Sequence, residues 1–487
     1  MRNRLLFYVN GRRHEVEDSR ATWTLAEFLR QQERLVGTKI VCAEGDCGSC
    51  SVLVGRRAAA GGQLVYHTID SCIALLFQLD LCHVVTVEGL RRSGALSPVQ
   101  DAMIRCHGSQ CGFCTPGFVV ALHGLLEEQA GNGCRLTEPQ LRTGLSGNLC
   151  RCTGYVQILE AGKSVDPARV ARLADMFDER EMLAAFAALT REPVRVAARH
   201  DGVQTLVCLP RTIAQAVAFR AAHPEAKIVN GATDVGVQRN LGRIDPARFL
   251  YLGAVEELRQ IELSDDALTL GGGAAWSEIE RTVERVLPEY WRIVTRFGSP
   301  QIRRLATIGG NFANASPIAD SLPFHYVMES QIELAGPRGR RCVPIAEFYR
   351  GYKQLDLAAD ELITRIHTPL PAPGYALKLY KVTKRRDMDI STVTAGIRFR
   401  PVDGMLQEVR FAVGGVGPTV VRLPRAEAYA AGRPLDASTF RKIGQIARGE
   451  IRPLADVRGG IPYRRKLVEN LFVKAFHELS LEPLAAG

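Results

Sequence analysis

The chain has 487 residues, too many for one ordinary core and enough for three or four domains. Its 46% hydrophobic and 23% charged residues are globular averages, which excludes a disordered or fibrous class. No apolar run approaches the roughly 18 residues of a membrane span and Leu5–Val9 is too short for a signal-peptide core, while the formal charge of +10 is scattered rather than blocked, so a cytoplasmic protein with no membrane or nucleic-acid partner is expected.

The first element is a strand at Leu5 to Val9. Asn10-Gly11 suits a type I′ turn into a return strand through Glu15 to Glu17. Thr24 with Glu27 three residues on reads as a capping box, and Leu25, Phe28 and Leu29 give the helix that follows an apolar face. After a cysteine-rich loop a further strand runs from Val84 to Val87, an order that suits a β-grasp ferredoxin module over residues 1–92. From Ser97-Pro98 the pattern turns helical, with further starts at Thr115-Pro116 and at Thr137 with Gln140. Residues 93–165 therefore read as a compact domain of about four helices. Residues 166–200 are charged, helical in tendency and interrupted by Pro193, as in a linker. Strands and helices alternate from about residue 204, giving a larger portion over 201–372 and a mixed C-terminal domain over 373–487. The fold class expected is thus multi-domain α+β.

Eleven of the thirteen cysteines lie between Cys42 and Cys152. In a reducing cytosol they read as metal ligands rather than disulfides. Cys42, Cys47 and Cys50 form C-x4-C-x2-C, with Cys72 downstream, the plant-type [2Fe-2S] spacing. Gly45, Gly48 and Ser49 let the backbone fold tightly, so that N–H groups can face the sulfurs. The alternatives are a zinc site or buried thiols, although structural zinc ordinarily uses two paired knuckles. A second set is Cys111 with Cys114, and Cys150 with Cys152. Taken alone, these pairs also fit zinc, but C-x-C is unusual for a zinc knuckle. Cys82, Cys106 and Cys134 read as bystander thiols. The stretches QCGFCTPG and GNLCRCTGY resemble the signature of the helical [2Fe-2S] domain of the molybdenum hydroxylases, the family of xanthine dehydrogenase and aldehyde oxidase. That resemblance implies that Cys111, Cys114, Cys150 and Cys152 ligate a second cluster.

The run Val229, Asn230, Gly231, Ala232, Thr233, Asp234, Val235 follows a predicted strand and suits backbone approach to a pyrophosphate. By itself it serves equally as a plain strand-turn-helix connection, because the Rossmann G-x-G-x-x-G order is missing. A second glycine turn lies at Ala306, Thr307, Ile308, Gly309, Gly310 and Asn311, with Asp320 downstream. Together the two stretches are similar to the FAD-binding domain of the same family, a fold of the vanillyl-alcohol-oxidase type. The resemblance implies that residues 229 to 235 and 306 to 310 cradle the pyrophosphate and that Asn311 and Asp320 make polar contacts. It further implies that Phe297 faces the isoalloxazine and that Lys381 lies near the flavin. Ile363 stands where the family commonly has leucine. Val413 to Gly417, Asp456 to Gly459 and Tyr463 to Arg465 resemble the domain that completes the FAD unit, a C-terminal α/β flavoprotein domain.

What the resemblance implies is an electron-transfer subunit of the xanthine dehydrogenase kind. It would carry two [2Fe-2S] clusters and FAD and have no catalytic acid or base of its own. Electrons would come from a molybdenum cofactor on a large partner subunit and leave to NAD+ as hypoxanthine or xanthine is oxidised to urate. Because no molybdopterin motif follows the flavin region, a heterodimer or a dimer of heterodimers is expected. The alternatives are the equivalent subunit of an aldehyde- or N-heterocycle-oxidising enzyme, or a stand-alone iron-sulfur flavoprotein reductase.

Overall fold

The computed structural model describes residues 1–58, 61–91, 94–129, 133–200, 202–370 and 373–481. The expected boundaries at 92/93, 201 and 372 lie outside the described residues. The chain forms two compact units, Met1–Glu256 with Gly298–Ala306, and Glu257–Phe297 with Thr307–Gly487.

In the first unit, β1 (Leu5–Val9) and β2 (Arg12–Val16) form the expected hairpin. Asn10 and Gly11 have φ of +48° and +82°, the pair a type I′ turn demands. With β3 (Ser51–Arg57), β4 (Leu64–Asp70) and β5 (Cys82–Val85) they make a sheet of order β2-β1-β5-β3-β4. The central β1–β5 pair is parallel. β5 stops two residues before the expected Val87, because the Thr86 amide turns away to the Asn10 side chain. The Thr24–Glu27 capping box forms, and Leu25, Phe28 and Leu29 enter the same buried core as Leu5, Phe7 and Val84. This is the β-grasp arrangement.

Four helices follow, Pro98–Arg105, Thr115–Glu128, Glu138–Gly144 and Val156–Ser164. Ser97 and Thr137 cap as read. At the second helix the cap falls one residue early, on Cys114, with Thr115 already inside. The stretch read as a linker holds a helix over Glu179–Leu189 and then a strand, β6 (Val194–His200). Val194 and Val196 alternate inward, both buried, and this period of two outweighs the break at Pro193. β6 joins β7 (Val203–Leu209), β8 (Lys227–Val229) and β9 (Arg248–Tyr251) in the order β6-β7-β9-β8. β7 and β8 both run parallel to β9, so β8 delivers the first glycine turn at its C-terminal end.

In the second unit, β10 (Ile261–Leu263), β11 (Ala267–Gly271), β12 (Gln331–Gly336), β13 (Gly339–Pro344) and β16 (Leu362–Pro369) form a sheet of order β10-β11-β16-β12-β13. A short ribbon, β14 (Tyr349–Gly351) with β15 (Gln354–Leu355), precedes β16. β17 (Ala376–Val382), β18 (Val393–Val402), β19 (Met405–Gly414) and β20 (Val421–Arg422) form an antiparallel meander. Its apolar face, with Ile397, Phe399 and Phe411, packs against Phe440, Phe472 and Ala475 of the C-terminal helices. Among the described residues no helix is long and apolar enough to cross a membrane.

Candidate cofactor sites

All thirteen cysteines are free thiols. Residues 37–50 wrap from the first helix to β3, turning through Gly45 and Gly48 at φ of +76° and +66°. A β-carbon on Gly45 would sit 2.6 Å from Ile73 Cδ1, and one on Gly48 would sit 2.4 Å from the Gly147 carbonyl, so both turns need glycine. The loop places Cys42 within hydrogen-bonding reach of Cys47 and Cys72, and Cys50 within reach of Cys72. The Cys42 thiol is held far below its ordinary value by the Cys47 and Cys72 thiols donating to it, helped by the amides of Glu44 and Asp46. Cys72 is pushed far up because it donates to both Cys42 and Cys50 and is buried. Cys50 is likewise pulled down and Cys47 pushed up by their neighbours, so the four sulfurs crowd together and share protons. A thiolate-binding cationic centre relieves that crowding, so the donor set fits a metal cluster.

The second quartet is assembled from two helix starts. Cys114 lies at the N-terminus of Thr115–Glu128, where the helix dipole favours negative charge. Tyr155, left-handed at φ +72°, accepts the Cys150 amide on its hydroxyl at 3.0 Å. The thiols pair as Cys114 with Cys150 and Cys111 with Cys152. Burial, then the neighbouring Cys150, pushes Cys114 up to about 12. Burial alone would raise Cys150 too, but the Thr153 hydroxyl and amide, 3.2 and 3.5 Å from its sulfur, hold it lower. Of the bystanders, Cys82 is buried, Cys106 half-buried and Cys134 exposed.

The two quartets are directly bonded through the backbone. The Leu149 amide donates to the Cys47 carbonyl at 3.0 Å, and the Asn148 side chain donates to the Gly48 carbonyl at 3.0 Å. A β-carbon on Gly117 would lie 2.2 Å from that same carbonyl. Asn148 stands inside the GNLCRCTGY stretch, but its bond was not legible there because its partner is a hundred residues away.

At the end of β8, Ala232 has φ of +63°, and a β-carbon on Gly231 would fall 1.9 Å from the Leu305 carbonyl. No described residue accepts from the amides of Gly231, Ala232 or Thr233. Consecutive bare amides around a left-handed residue form an anion-binding nest, so this turn fits a pyrophosphate. Val235 starts the helix Val235–Asn240, which ends with Asn240 donating to the Cys72 carbonyl at 2.8 Å. Asp234 is exposed and bonds Gln238.

In the second unit, Thr307 caps the helix Ile308–Asn314. Here the amides are already engaged: Ile308 donates to Ala274, Gly309 to Gly272, and Gly310 to the Thr307 hydroxyl. The segment therefore offers the Thr307 proton and the Asn311 amide, whose oxygen accepts from Ser321 at 2.9 Å. Ile308 and Ile363 point into the core. The Lys381 ammonium lies 2.6 Å from Asp320 and 2.8 Å from the Arg296 carbonyl, and Ser391 donates to the other Asp320 oxygen. Phe297 is 5.0 Å from the ring of Trp276, whose buried indole N–H finds no acceptor among the described residues.

Comparison with known families accounts for most of the chain. Residues 7–74 match the family described as "2Fe-2S iron-sulfur cluster binding domain", and residues 86–163 match "[2Fe-2S] binding domain". Residues 201–371 match "FAD binding domain in molybdopterin dehydrogenase", and 378–479 match "CO dehydrogenase flavoprotein C-terminal domain". The chain carries the iron–sulfur and flavin domains of a molybdenum hydroxylase. Among molybdenum hydroxylases it is 30% identical to xanthine dehydrogenase of Drosophila subobscura, with 99% of this chain and 40% of the relative aligned. It is 28% identical to xanthine dehydrogenase 1 of Arabidopsis thaliana, over 97% of this chain and 39% of the relative. The chain thus spans about 40% of the length of these relatives. In fold it is similar to a chain of carbon monoxide dehydrogenase from Hydrogenophaga pseudoflava, with TM-score 0.53, 24% identity, and 56% of this chain and 95% of that one covered. A chain of quinoline 2-oxidoreductase from Pseudomonas putida 86 gives TM-score 0.52, 22% identity, and covers 56% of this chain and 95% of its own.

Proposed function

We propose that this chain relays electrons within a xanthine-oxidising molybdenum hydroxylase. They come from a molybdenum cofactor on a large partner polypeptide and leave to NAD+. When bound, [2Fe-2S] centres exchange electrons singly and FAD exchanges them singly or as a hydride, which suits a converter between one- and two-electron partners. In this reading Cys42, Cys47, Cys50 and Cys72 hold one cluster, and Cys111, Cys114, Cys150 and Cys152 hold the other. The nest at 229–235 takes the flavin pyrophosphate. Thr307, Asn311 and the Asp320–Lys381 pair supply further polar groups, and Phe297 backed by Trp276 supplies an aromatic face. The observation that carries the reading is the bond from the Leu149 amide to the Cys47 carbonyl, which leaves one hydrogen bond between the backbones of two thiol quartets.

The test is an anaerobic titration of the chain, assembled with its candidate large subunit, using hypoxanthine, xanthine, an aldehyde and an N-heterocycle in turn. Flavin bleaching with two distinct [2Fe-2S] signals under xanthine, reversed by NAD+, is the expected result. Reduction by an aldehyde or N-heterocycle alone would move the substrate assignment within the family. A zinc-loaded, flavin-free protein would sink the relay.

A further inference from the structure

We propose that Gln301 is a positioning residue that clamps the two cysteine loops together. It lies on the helix Pro300–Leu305, inside the segment matched to the flavin-binding family, yet this stretch packs within the first unit. Gln301 is 1% exposed, and its side-chain amide donates to the Asn148 side-chain oxygen at 2.9 Å. That bond fixes which way the Asn148 amide faces, so its nitrogen is left to donate to the Gly48 carbonyl. The next residue, Leu149, places its amide on the Cys47 carbonyl.

Apolar packing holds the loop on either side of this peptide, at Leu145 and Cys150, but not at the peptide itself. The Leu149 side chain is 48% exposed and Cys152 is also exposed, so the hydrophobic burial that ordinarily fixes a loop is missing there. Asn148, at 2% exposure, is the anchor, and Gln301 is what orients it. The fit is close, since a β-carbon on Gly147 would lie 2.1 Å from the Gln301 oxygen and 2.6 Å from Ser299 Cβ. On the other side of the same helix, Ile302 packs against Cys50, Cys72 and Ile73. One short helix therefore braces both quartets, and Gln301 sets the register between them.

The experiment compares wild type with Gln301→Met, which keeps the length of the side chain but removes the amide, in the full chain. Hydrogen exchange at the Leu149 amide is expected to rise about tenfold, the scale of one lost hydrogen bond, with exchange in Thr115–Glu128 unchanged. The magnetic splitting between the two reduced clusters is expected to weaken at unchanged iron and flavin content. This second readout rests on the cluster reading above; the first does not. If wild-type protein shows no paired [2Fe-2S] signals, the relay falls while exchange still decides the role of Gln301. Should Gln301→Met not fold, Gln301→Asn, one methylene shorter, takes its place with the same criteria. Wild-type exchange at Leu149 and unaltered splitting in the folded variant would overturn the proposal.

Discussion

Gly231 has no room for a β-carbon: the Leu305 carbonyl stands 1.9 Å from where it would go, about half the ordinary contact distance. Gly231→Ala is therefore expected to cost about 3 kcal/mol or more and to leave the purified chain without flavin, read as loss of visible flavin absorbance. Asp320 and Lys381 are a different kind of site. Their side chains are 8% and 3% exposed, and breaking a buried pair by removing one partner costs about 3–5 kcal/mol. Asp320→Asn removes the charge that faces the ammonium, leaving it only neutral acceptors such as the Arg296 carbonyl. A lower melting temperature and weaker FAD retention are expected, with the iron signals of the first unit unchanged.

Local elements were readable where the determining groups are neighbours in sequence. Asn10-Gly11 declared its turn, and Thr24, Ser97 and Thr137 their helix starts, because each cap bonds the residue three positions on: the Thr24 and Ser97 hydroxyls accept its amide, and the Thr137 amide donates to the Gln140 side chain. The cysteine spacings declared cluster chemistry for the same reason. Gln301, Asn240 and Asn148 gave no comparable signal of what they would touch, since their partners lie 97 to 250 residues distant. Ser299 caps the helix Pro300–Leu305, but nothing nearby in sequence could show what its side chains would touch. The C-terminal helix Ile461–Leu481 shows how such distant bonds fix an element. Arg464, 2% exposed, donates to the Thr392 and Gly415 carbonyls and to Asp456 at 2.6 Å. Burial would raise the Asp456 carboxyl, but the Arg458 amide and the Arg464 guanidinium outweigh it and hold it at about 2. A depressed carboxylate stabilises above its unfolded value near 4 and loses that contribution as pH falls towards 2. Asp456→Asn should remove this acid-side dependence, and a pH series of melting curves on variant and wild type would show the difference.

Across the whole molecule, three buried histidines govern tolerance to acid. Burial lowers His83 and His325 to about 3 and His123 to about 4, well under the ordinary 6.5 or so. Each is neutral when folded and gains a proton on unfolding below that value. Stability is therefore complete above pH ~6.5 and falls as pH drops towards 3, by up to about 1.4 kcal/mol per pH unit for each histidine. Thermal melts between pH 4 and 8 should show a steep acid limb, shallower in His123→Phe, because among the described residues neither His123 nitrogen has a hydrogen-bond partner to lose. The chain's routing has a consequence of another kind. It leaves the first unit after Glu256, returns for Gly298–Ala306 and leaves again. No single cut in the chain parts these two units. A polypeptide ended at residue 256 would lack the helix that supplies Leu305 behind Gly231 and Gln301 beside Asn148, while the remainder would carry that helix as an orphan. Expressed as two halves, the pieces should recover their cysteine loops only when mixed, by complementation rather than by independent folding.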